Sequence, residues 1–370
     1  MMNLIDIGQG KRGRRAYSFD DIAVAPSRRT RDPRDVSLDW QIDAYRFDHP
    51  IVAAPMDSVV SPDSAATFAK NGGLAVLNLE GLWTRYEDPT EVYSQIADAD
   101  LQGANERLSQ LYQAPIDPEL ITKRIGELRA TGATVAASLS PQNTAQFSKT
   151  VVEAGVDLFV IRGTTVSAEH VASEGEPLNL KNFIYELDVP VIVGGCATYR
   201  AALHLMRSGA AGVLVGFGGG AAHTSHQVLG VRVPMASAVA DVSAARRDYL
   251  DESGGRYVHV IADGAMGTSG AIVKAIACGA DAVMVGSPLA RATDAPGRGR
   301  HWGMEAAHVE LPRGEVVEFG AVGTLQEILT GPSRVSDGTM NIVGALRRAM
   351  ATCGYSDLKE FQRVEVVLNA

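Results

Sequence analysis

The chain has 370 residues, 46% hydrophobic and 21% charged, a composition typical of globular proteins and sufficient for one large barrel or two ordinary domains. A net charge of −9 argues against nucleic acid as the main partner. Three scattered cysteines form no metal-binding spacing and indicate a reduced compartment. No apolar run approaches the roughly 20 residues of a membrane span, and the start lacks the apolar core of a signal peptide, so we expect a cytoplasmic protein without a membrane partner.

The first part of the chain predicts an arm followed by two strands and one helix. Residues 1–48 are polar and rich in turns, which indicates a covering arm rather than core. Buried strands are predicted at 49–56 and 74–78. Between them, Ser61-Pro62-Asp63 predicts a helix start, because serine caps helices and proline fits the first turn. Residues 83–131 are helical and charged in pattern, which predicts a helical insertion.

The rest of the chain alternates strands and helices regularly. Further strand-like runs occur at 133–139, 158–162, 189–193, 212–215, 257–262 and 282–285. Three of them follow similar segments in which Gly155, Gly209 or Gly279 is suited to a left-handed helix end. Eight strands alternating with helices predict an α/β fold, the (β/α)8 or TIM barrel, whose chemistry lies in the loops after the strands.

The loop at 216–226 is the most unusual of these loops. Its small residues allow close backbone approach and offer N–H groups to an anion. His223 in this loop is either an acid, base or nucleophile, or an exposed loop residue. A metal site with His226 lacks a third ligand. The Gly216-x-Gly218-x-x-Ala221 spacing resembles a dinucleotide fingerprint, but the loop follows the sixth strand and does not open directly into a helix.

Three other strand ends carry candidate groups. Gly286-Ser287 precedes a predicted helix with an early proline, which indicates a phosphate-binding turn or a plain connection. Asp263 could accept hydrogen bonds from the vicinal hydroxyls of a ribose, or cap a helix starting near residue 268. Cys196 is either a thiol facing the barrel mouth or a buried side chain.

These residues resemble the IMP dehydrogenase/GMP reductase family. The matching segments keep the family's order over nearly the whole chain, at 50–59, 72–76, 216–239, 260–264, 284–290 and 302–304. The resemblance implies a purine-nucleotide oxidoreductase that uses NAD(H) or NADP(H) and assembles as a tetramer or octamer. It also implies a monovalent cation such as K+ on the carbonyls of Gly218, Gly220 and His223. Flavin-binding barrels share only the Ala-Asp-Gly and Gly-Ser turns.

The resemblance assigns roles to individual positions. Asp263 would bind the ribose hydroxyls, and the base would stack near Met56 and Met304. The rest of the substrate site, including the phosphate turns, would consist of small residues: Gly220, Ala221, Ala222, Gly264, Ala265, Gly286, Ser287 and Gly303. Arg162, Thr164 and Cys196 stand at positions of the cofactor site.

The sequence departs from the family pattern at the catalytic position. The family uses a cysteine thiolate that adds to purine C2, and His223 stands in its place. The hydroxyl that helps activate the leaving amine in the reductases is kept as Ser225. Arg162 replaces an aspartate that meets the cofactor ribose, and the reductases' glutamate aligns near Arg313, with Glu310 and Glu315 nearby.

Two further features of the dehydrogenases are also missing from this sequence. Residues 300–330 contain no counterpart of their water-activating Arg-Tyr pair, and the helical insertion stands where they carry tandem CBS domains. We therefore expect a single barrel domain over residues 1–370. One hypothesis is an oxidoreductase of IMP or GMP, leaning to NADPH-dependent reduction of GMP. The alternative is a nucleotide-binding regulatory protein without redox turnover.

Overall fold

The barrel is formed as expected. The computed structural model describes residues 4–171, 178–217 and 219–369. Within them, eight parallel strands close in chain order, because the eighth pairs with the first. The strands are Ile51–Ala53, Leu74–Asn78, Ala136–Leu139, Leu158–Arg162, Val191–Cys196, Gly212–Val215, His259–Asp263 and Ala282–Val285. The predicted (β/α)8 barrel is confirmed, with strand ends that differ by a few residues.

The sequence explains both the burial of the strands and the turns that lead into three of them. Their side chains are almost all buried, because helices cover the outside of the sheet while side chains fill its interior. The repeated glycines have φ values of 90°, 99° and 109° at Gly155, Gly209 and Gly279, the left-handed conformation expected after a helix. Each therefore turns the chain from a helix into the next strand.

The longer helices lie between the strands and after the last one. They are Pro62–Lys70, Pro118–Ala130, Pro141–Glu153, Leu180–Glu186, Tyr199–Arg207, Met235–Glu252, Ser269–Ala277 and Ile342–Thr352. Shorter helices are Ser225–Leu229, Ser287–Ala290, Leu325–Thr330 and Leu358–Phe361. The predicted cap is confirmed, since the Ser61 hydroxyl accepts a hydrogen bond from the Ser64 N–H at 3.0 Å. Among the described helices, none has the length and apolar character required to cross a membrane.

The predicted insertion at 83–131 combines two structures. Thr90–Asp98 and Leu101–Leu111 form an added helical pair, which buries Val92, Ile96 and Leu108 against Trp302. Pro118–Ala130 instead packs between the barrel helices Pro62–Lys70 and Pro141–Glu153 and is the barrel's own helix. The true excursion is thus shorter than predicted, and it covers the segment that follows the eighth strand.

The description of residues 1–48 as a covering arm rather than core was wrong for both halves, since Phe19 and Ile22 of the first half are buried as well. Leu38, Trp40 and Ile42 are buried in the main hydrophobic core. The Trp40 indole donates to Nδ1 of His259, the first residue of the seventh strand, at 3.3 Å. These apolar side chains close the amino-terminal end of the barrel, which the sparse hydrophobic spacing of the arm did not indicate.

Candidate active site

A cavity of about 270 Å³ lies at the carboxyl ends of the barrel strands. Residues reach it from the ends of five strands, because the loops after parallel strands all meet at this face. Most residues predicted for the site line it: Met56, Arg162, Thr164, Gly220, Ala221, His223, Ser225, Asp263, Gly264, Ala265, Gly286 and Ser287. Residues distant in sequence are therefore brought together as the family pattern implied.

A second, larger cavity of about 630 Å³ adjoins the first. The two share five lining residues, namely Met56, Arg162, Gly163, Thr164 and Glu305. The predicted residues Gly303 and Met304 line this second cavity, and Arg85 and Tyr112 reach it from the region of the insertion. Two ligands held side by side would thus meet near Met56 and Glu305.

A row of ionisable side chains crosses the wall between the cavities. Arg162 donates from Nε to Oδ2 of Asp263 at 3.0 Å, and its Nη1 lies 3.9 Å from Oε1 of Glu305. Oε2 of Glu305 lies 3.6 Å from Nδ1 of His223. Their side chains are only 9–18% exposed, so solvent screens these interactions weakly. The four residues form one connected unit.

The electrostatics of this row keep both central groups charged. Burial opposes ionisation of Glu305, but the neighbouring His223 and Arg162 outweigh it and hold the pKa of the carboxyl below its ordinary value. Burial likewise opposes the charge of Arg162, and the carboxylates of Asp263 and Glu305 outweigh it and raise the pKa of the guanidinium. An anionic Glu305 therefore lies between two basic side chains.

His223 is held in place and is not an exposed loop residue. Its side chain is 9% exposed, and its N–H donates to the Gly220 carbonyl at 3.1 Å. The residue also forms an antiparallel bridge with Gly314. Among the described residues no cluster of His, Cys, Asp and Glu side chains is arranged to hold a metal ion. The ring is thus available for acid–base chemistry at the cavity.

Two ionisable side chains of the first cavity were missed in the sequence. Glu305 and His301 flank the Gly303-Met304 pair that was recognised, and both line the first cavity. Burial, followed by the charge of His223, lowers the pKa of His301 to about 3, so its ring is neutral at pH 7. Its Nδ1 lies 3.0 Å from the Ser58 hydroxyl. Their closeness in sequence to Gly303 was the available signal.

The predicted residues at the turns take several conformations. Gly264 and Ala265 have φ values of 124° and 58°, and the Ala265 N–H donates to the Gly219 carbonyl. Ser287 starts the short helix that the early proline predicted. Thr268 caps the helix Ser269–Ala277, so the alternative of Asp263 as its cap is wrong.

Several predicted residues are not brought to the cavities. Cys196 is buried, and its thiol points to the Leu214 carbonyl at 3.5 Å. Burial raises the pKa of this thiol to about 12. Ala222 is fully buried behind the loop, where its carbonyl accepts from the Glu315 N–H. Gly218 lies outside the described residues.

The glutamate of the reductases was expected near Arg313, but the glutamate at the cavities lies elsewhere in the sequence. Glu310 and Glu315 are exposed, whereas Glu305 is the glutamate that reaches both cavities. Arg313 lines the second cavity. Its backbone N–H donates to the Glu305 carbonyl at 2.9 Å, so the two residues are close although Arg313 is not the acidic group.

Comparisons with known proteins agree with this architecture. The model of the IMP dehydrogenase / GMP reductase domain matches residues 16–369. A protein of Mycolicibacterium smegmatis named an uncharacterized oxidoreductase is 51% identical, over 99% of this chain and 100% of its own length. The inosine-5′-monophosphate dehydrogenase of Methanocaldococcus jannaschii is 26% identical, over 94% of this chain and 91% of its own.

A solved structure gives the same result at the level of the fold. The crystal structure of an IMP dehydrogenase/GMP reductase-like protein from Corynebacterium glutamicum superposes with a TM-score of 0.94. That protein is 50% identical, and the match covers 99% of this chain and 98% of that one. The chain belongs to the IMP dehydrogenase/GMP reductase family of oxidoreductases.

Proposed function

We propose that the first cavity binds a purine 5′-monophosphate and that the chain catalyses a nicotinamide-dependent redox reaction at its C2 carbon. The observation that supports this most strongly is the convergence of Asp263, His223 and two turns of small residues on one cavity. Asp263 keeps a carboxylate oxygen beyond its contact with Arg162, and carboxylates bind vicinal hydroxyls well. The turns at 264–265 and 286–287 offer room for a phosphate.

The adjoining cavity is the proposed site of the nicotinamide cofactor. Its shared wall, including Met56 and Thr164, would bring the two ligands together where hydride passes between them. Arg162 and Thr164 reach it as expected for cofactor-binding residues, whereas the buried Cys196 would act only through the backbone around it. The bound nicotinamide would supply or accept hydride, and NADP(H) is the form we favour.

The direction we propose is reduction of GMP to IMP. Oxidation of IMP requires an activated water, and no Arg-Tyr pair occurs between residues 300 and 330. Ser225, which the reductases use near the leaving amine, lines the cavity, and among the described residues its buried hydroxyl has no hydrogen-bond partner. A buried hydroxyl without a partner is costly, so a ligand that bonds it gains affinity.

The proposal includes two further features of the family. A monovalent cation such as K+ would bind backbone carbonyls of the 216–226 loop, although the Gly220 carbonyl already accepts from His223. The chain would act as a homotetramer or octamer in solution.

One observation favours a second candidate, a nucleotide-binding protein without redox turnover. None of the three cysteines lines either cavity as described, and burial raises the pKa of Cys196 and Cys278 to about 12 and about 11. The family's covalent adduct with a cysteine thiolate cannot form in such a site. A sensor or regulatory subunit would need only the binding groups.

Absorbance and calorimetry separate the two candidates. Purified protein is mixed with GMP and NADPH, and separately with IMP and NAD, while the reduced-nicotinamide absorbance is followed. We expect a loss of absorbance with GMP and NADPH. Nucleotide binding without any change in absorbance would establish the second candidate, and absence of IMP and GMP binding would exclude both. A flavin-binding barrel would be recognised by its yellow absorbance.

A further inference from the structure

The wall of the second cavity carries two arginine side chains that have no acidic partner. Three arginines line this cavity, namely Arg85, Arg162 and Arg313. Arg162 is paired with Asp263 and Glu305. Within the described part of the chain, Arg85 and Arg313 form no ion pair, and their side chains contact either backbone carbonyls or no acceptor. Two guanidinium groups at one cavity are therefore left for an anionic ligand.

The acidic side chains of the same wall are engaged elsewhere. Glu80 and Glu305 are the carboxylates among the described residues that line the cavity. Glu80 is buried, and its Oε1 accepts a hydrogen bond from the Ser140 N–H. Glu305 lies between Arg162 and His223. Neither carboxylate takes part in an ion pair with the two remaining arginines.

Arg85 is held in place by the protein, but its hydrogen-bonding capacity is not used up. Its Nε donates to the Glu80 carbonyl at 2.9 Å and its Nη1 to the Ala114 carbonyl, while Nη2 has no partner among the described residues. The guanidinium carbon lies 5.8 Å from the centre of the Tyr112 ring. Burial lowers the pKa of this guanidinium despite the nearby Tyr112, Asp57 and Glu80. An added anion would thus stabilise a charge that is already oriented.

Arg313 is fixed beside a residue that both cavities share. Its N–H donates to the Glu305 carbonyl and its own carbonyl accepts from the Thr224 N–H, both at 2.9 Å. Its Nε is buried and has no hydrogen-bond partner in the described chain. A buried donor without an acceptor costs free energy, so a ligand oxygen that accepts from it gains affinity.

The two arginines differ in their relation to the place where hydride would pass. That place is the shared wall at Met56 and Glu305. Arg313 is bonded to Glu305 through the backbone, whereas Arg85 lines the second cavity from the region of the insertion. A nicotinamide dinucleotide with its nicotinamide at the shared wall continues from there with its pyrophosphate and then with its adenosine ribose. Arg313 would therefore meet the pyrophosphate, and Arg85 the ribose.

We propose that Arg85 selects NADP(H) over NAD(H) by binding the phosphate monoester on the adenosine ribose, and that Arg313 binds the pyrophosphate. The proposal rests on the proposed function, which makes the second cavity the cofactor site. A phosphate monoester carries close to two negative charges at pH 7 and three acceptor oxygens. NAD(H) has a hydroxyl group in its place and leaves Arg85 without an anion. Arg85 is thus a specificity-determining residue that acts on binding and takes no part in hydride transfer.

Calorimetry with two fragments of the cofactor tests the assignment without turnover. Adenosine 2′,5′-bisphosphate and 5′-AMP differ only in the monoester, and excess IMP keeps both out of the first cavity. We expect the wild-type protein to bind the bisphosphate about 10- to 100-fold more tightly, the scale of a hydrogen bond to a charged group. Arg85→Met should bind the two probes about equally, and Arg85→Lys should recover part of the preference because it keeps the charge without the planar fork.

Two further variants separate the roles of the arginines. Arg107→Met changes an exposed arginine of the insertion and should keep the wild-type preference. Arg313→Met should weaken both probes about 10-fold without changing their ratio, because both carry the 5′-phosphate. Unchanged affinity of Arg85→Met for 5′-AMP would confirm that this variant is folded. Equal binding of both probes by the wild type, a preference that survives in Arg85→Met, or binding of neither probe would overturn the inference.

The kinetics of GMP reduction distinguish this inference from the proposed function. In Arg85→Met we expect KM for NADPH to rise about 10- to 100-fold, with little change in kcat or in KM for NADH. Equal use of NADPH and NADH by the wild type would overturn the inference and keep the proposed function. Absence of turnover with either cofactor would overturn the proposed redox function, and the calorimetric preference would still decide whether Arg85 binds the monoester.

Discussion

Arg162 and Asp263 hold the fourth and seventh strands together at the mouth of the barrel, with Nε of the guanidinium 3.0 Å from the carboxylate oxygen Oδ2. The two residues are 101 positions apart in the chain. One carboxylate oxygen is thus engaged by the protein, and the carboxylate is oriented before any ligand arrives. Pre-orientation of this kind lowers the entropic cost of binding.

Asp263→Ala should therefore weaken nucleotide binding. The loss of a charge-assisted hydrogen bond to a ribose hydroxyl is expected to cost about 1.5–3 kcal/mol of binding free energy. Calorimetric titration with IMP and GMP measures it. Asp6→Ala is the matched control, because the side chain of Asp6 is 73% exposed. Equal affinity of Asp263→Ala and wild type would show that the ribose lies elsewhere.

Gly216 sets how closely the loop after the sixth strand approaches the end of the seventh. Its φ of 117° is strained for other residues, and an added Cβ would lie 2.3 Å from the Asp263 carbonyl and 2.7 Å from Met235 Sδ. We expect Gly216→Ala to destabilise the fold by about 2–4 kcal/mol in urea unfolding. Nucleotide affinity should fall as well, because relief of the clash with the Asp263 carbonyl would displace Asp263.

Gly126→Ala provides the control for this substitution. Gly126 is exposed within the helix Pro118–Ala130, and an added Cβ would meet no atom within 4 Å. Alanine is the better helix former, so this variant should gain about 0.5–1 kcal/mol. A similar loss of stability in both variants would show that close packing at Gly216 is not the cause.

Tyr112 connects the insertion region to the end of the first strand. Its hydroxyl donates to Oδ2 of the buried Asp57 at 2.5 Å and accepts from the Trp302 indole at 3.2 Å. Burial raises the pKa of the Asp57 carboxyl, so the remaining hydrogen bonds are needed to hold its charge. Tyr112→Phe should lower the free energy of unfolding by about 1.5–3 kcal/mol.

Urea unfolding at pH 7 measures this loss, and Tyr185→Phe is its control because Tyr185 is 90% exposed. We expect no measurable change in the control. If Tyr112→Phe were equally neutral, the contact between the insertion and the barrel mouth would contribute nothing to stability.

Asp281 contributes to the acid sensitivity of the fold. It is buried, with Arg246 Nη1 at 2.6 Å and Lys359 Nζ at 2.5 Å. Burial opposes its charge, but Arg246 and Lys359 outweigh it and hold the pKa of the carboxyl well below the ordinary 3.8. Since the folded pKa is depressed, this stabilisation is complete above about pH 4 and is lost as pH falls toward the folded value.

Asp281→Asn should lower stability at pH 7 by about 3–5 kcal/mol, because it leaves the buried Arg246 without its anion. The difference from wild type should shrink below pH 3.8, where the unfolded wild-type carboxyl takes up a proton. Thermal or urea unfolding at pH 7, 4 and 3 measures both effects, with the exposed Asp251→Asn as control. A difference that grew toward low pH would contradict the assigned sign.

Cys196 should be inert toward alkylation in the folded protein. Burial raises the pKa of its thiol to about 12, so almost no thiolate exists at pH 8. Treatment with iodoacetamide followed by mass spectrometry should leave Cys196 unmodified, whereas the urea-unfolded chain should react fully. Rapid modification in the native state would mean that this thiol reaches the mouth of the barrel.

The sequence by itself determined the barrel and much of the candidate site. Apolar runs between left-handed glycines are local signals, and their order alone predicted eight strands in a closed parallel barrel. Because every loop after such a strand meets at one face, residues as distant as Met56, His223 and Ser287 could be assigned to one site before any contact was known.

Only the tertiary structure decided which charges meet within that site. Glu305 could be suspected only from its closeness to Gly303 in the sequence, and its contacts depend on the path of the segment after the eighth strand, which brings it to His223 and Arg162. The buried side chains of the arm and the bond from Tyr112 to Asp57 were likewise invisible, since both depend on contacts between distant elements. Periodicity is a property of neighbouring residues, whereas ion pairs across a barrel mouth depend on closure of the whole sheet.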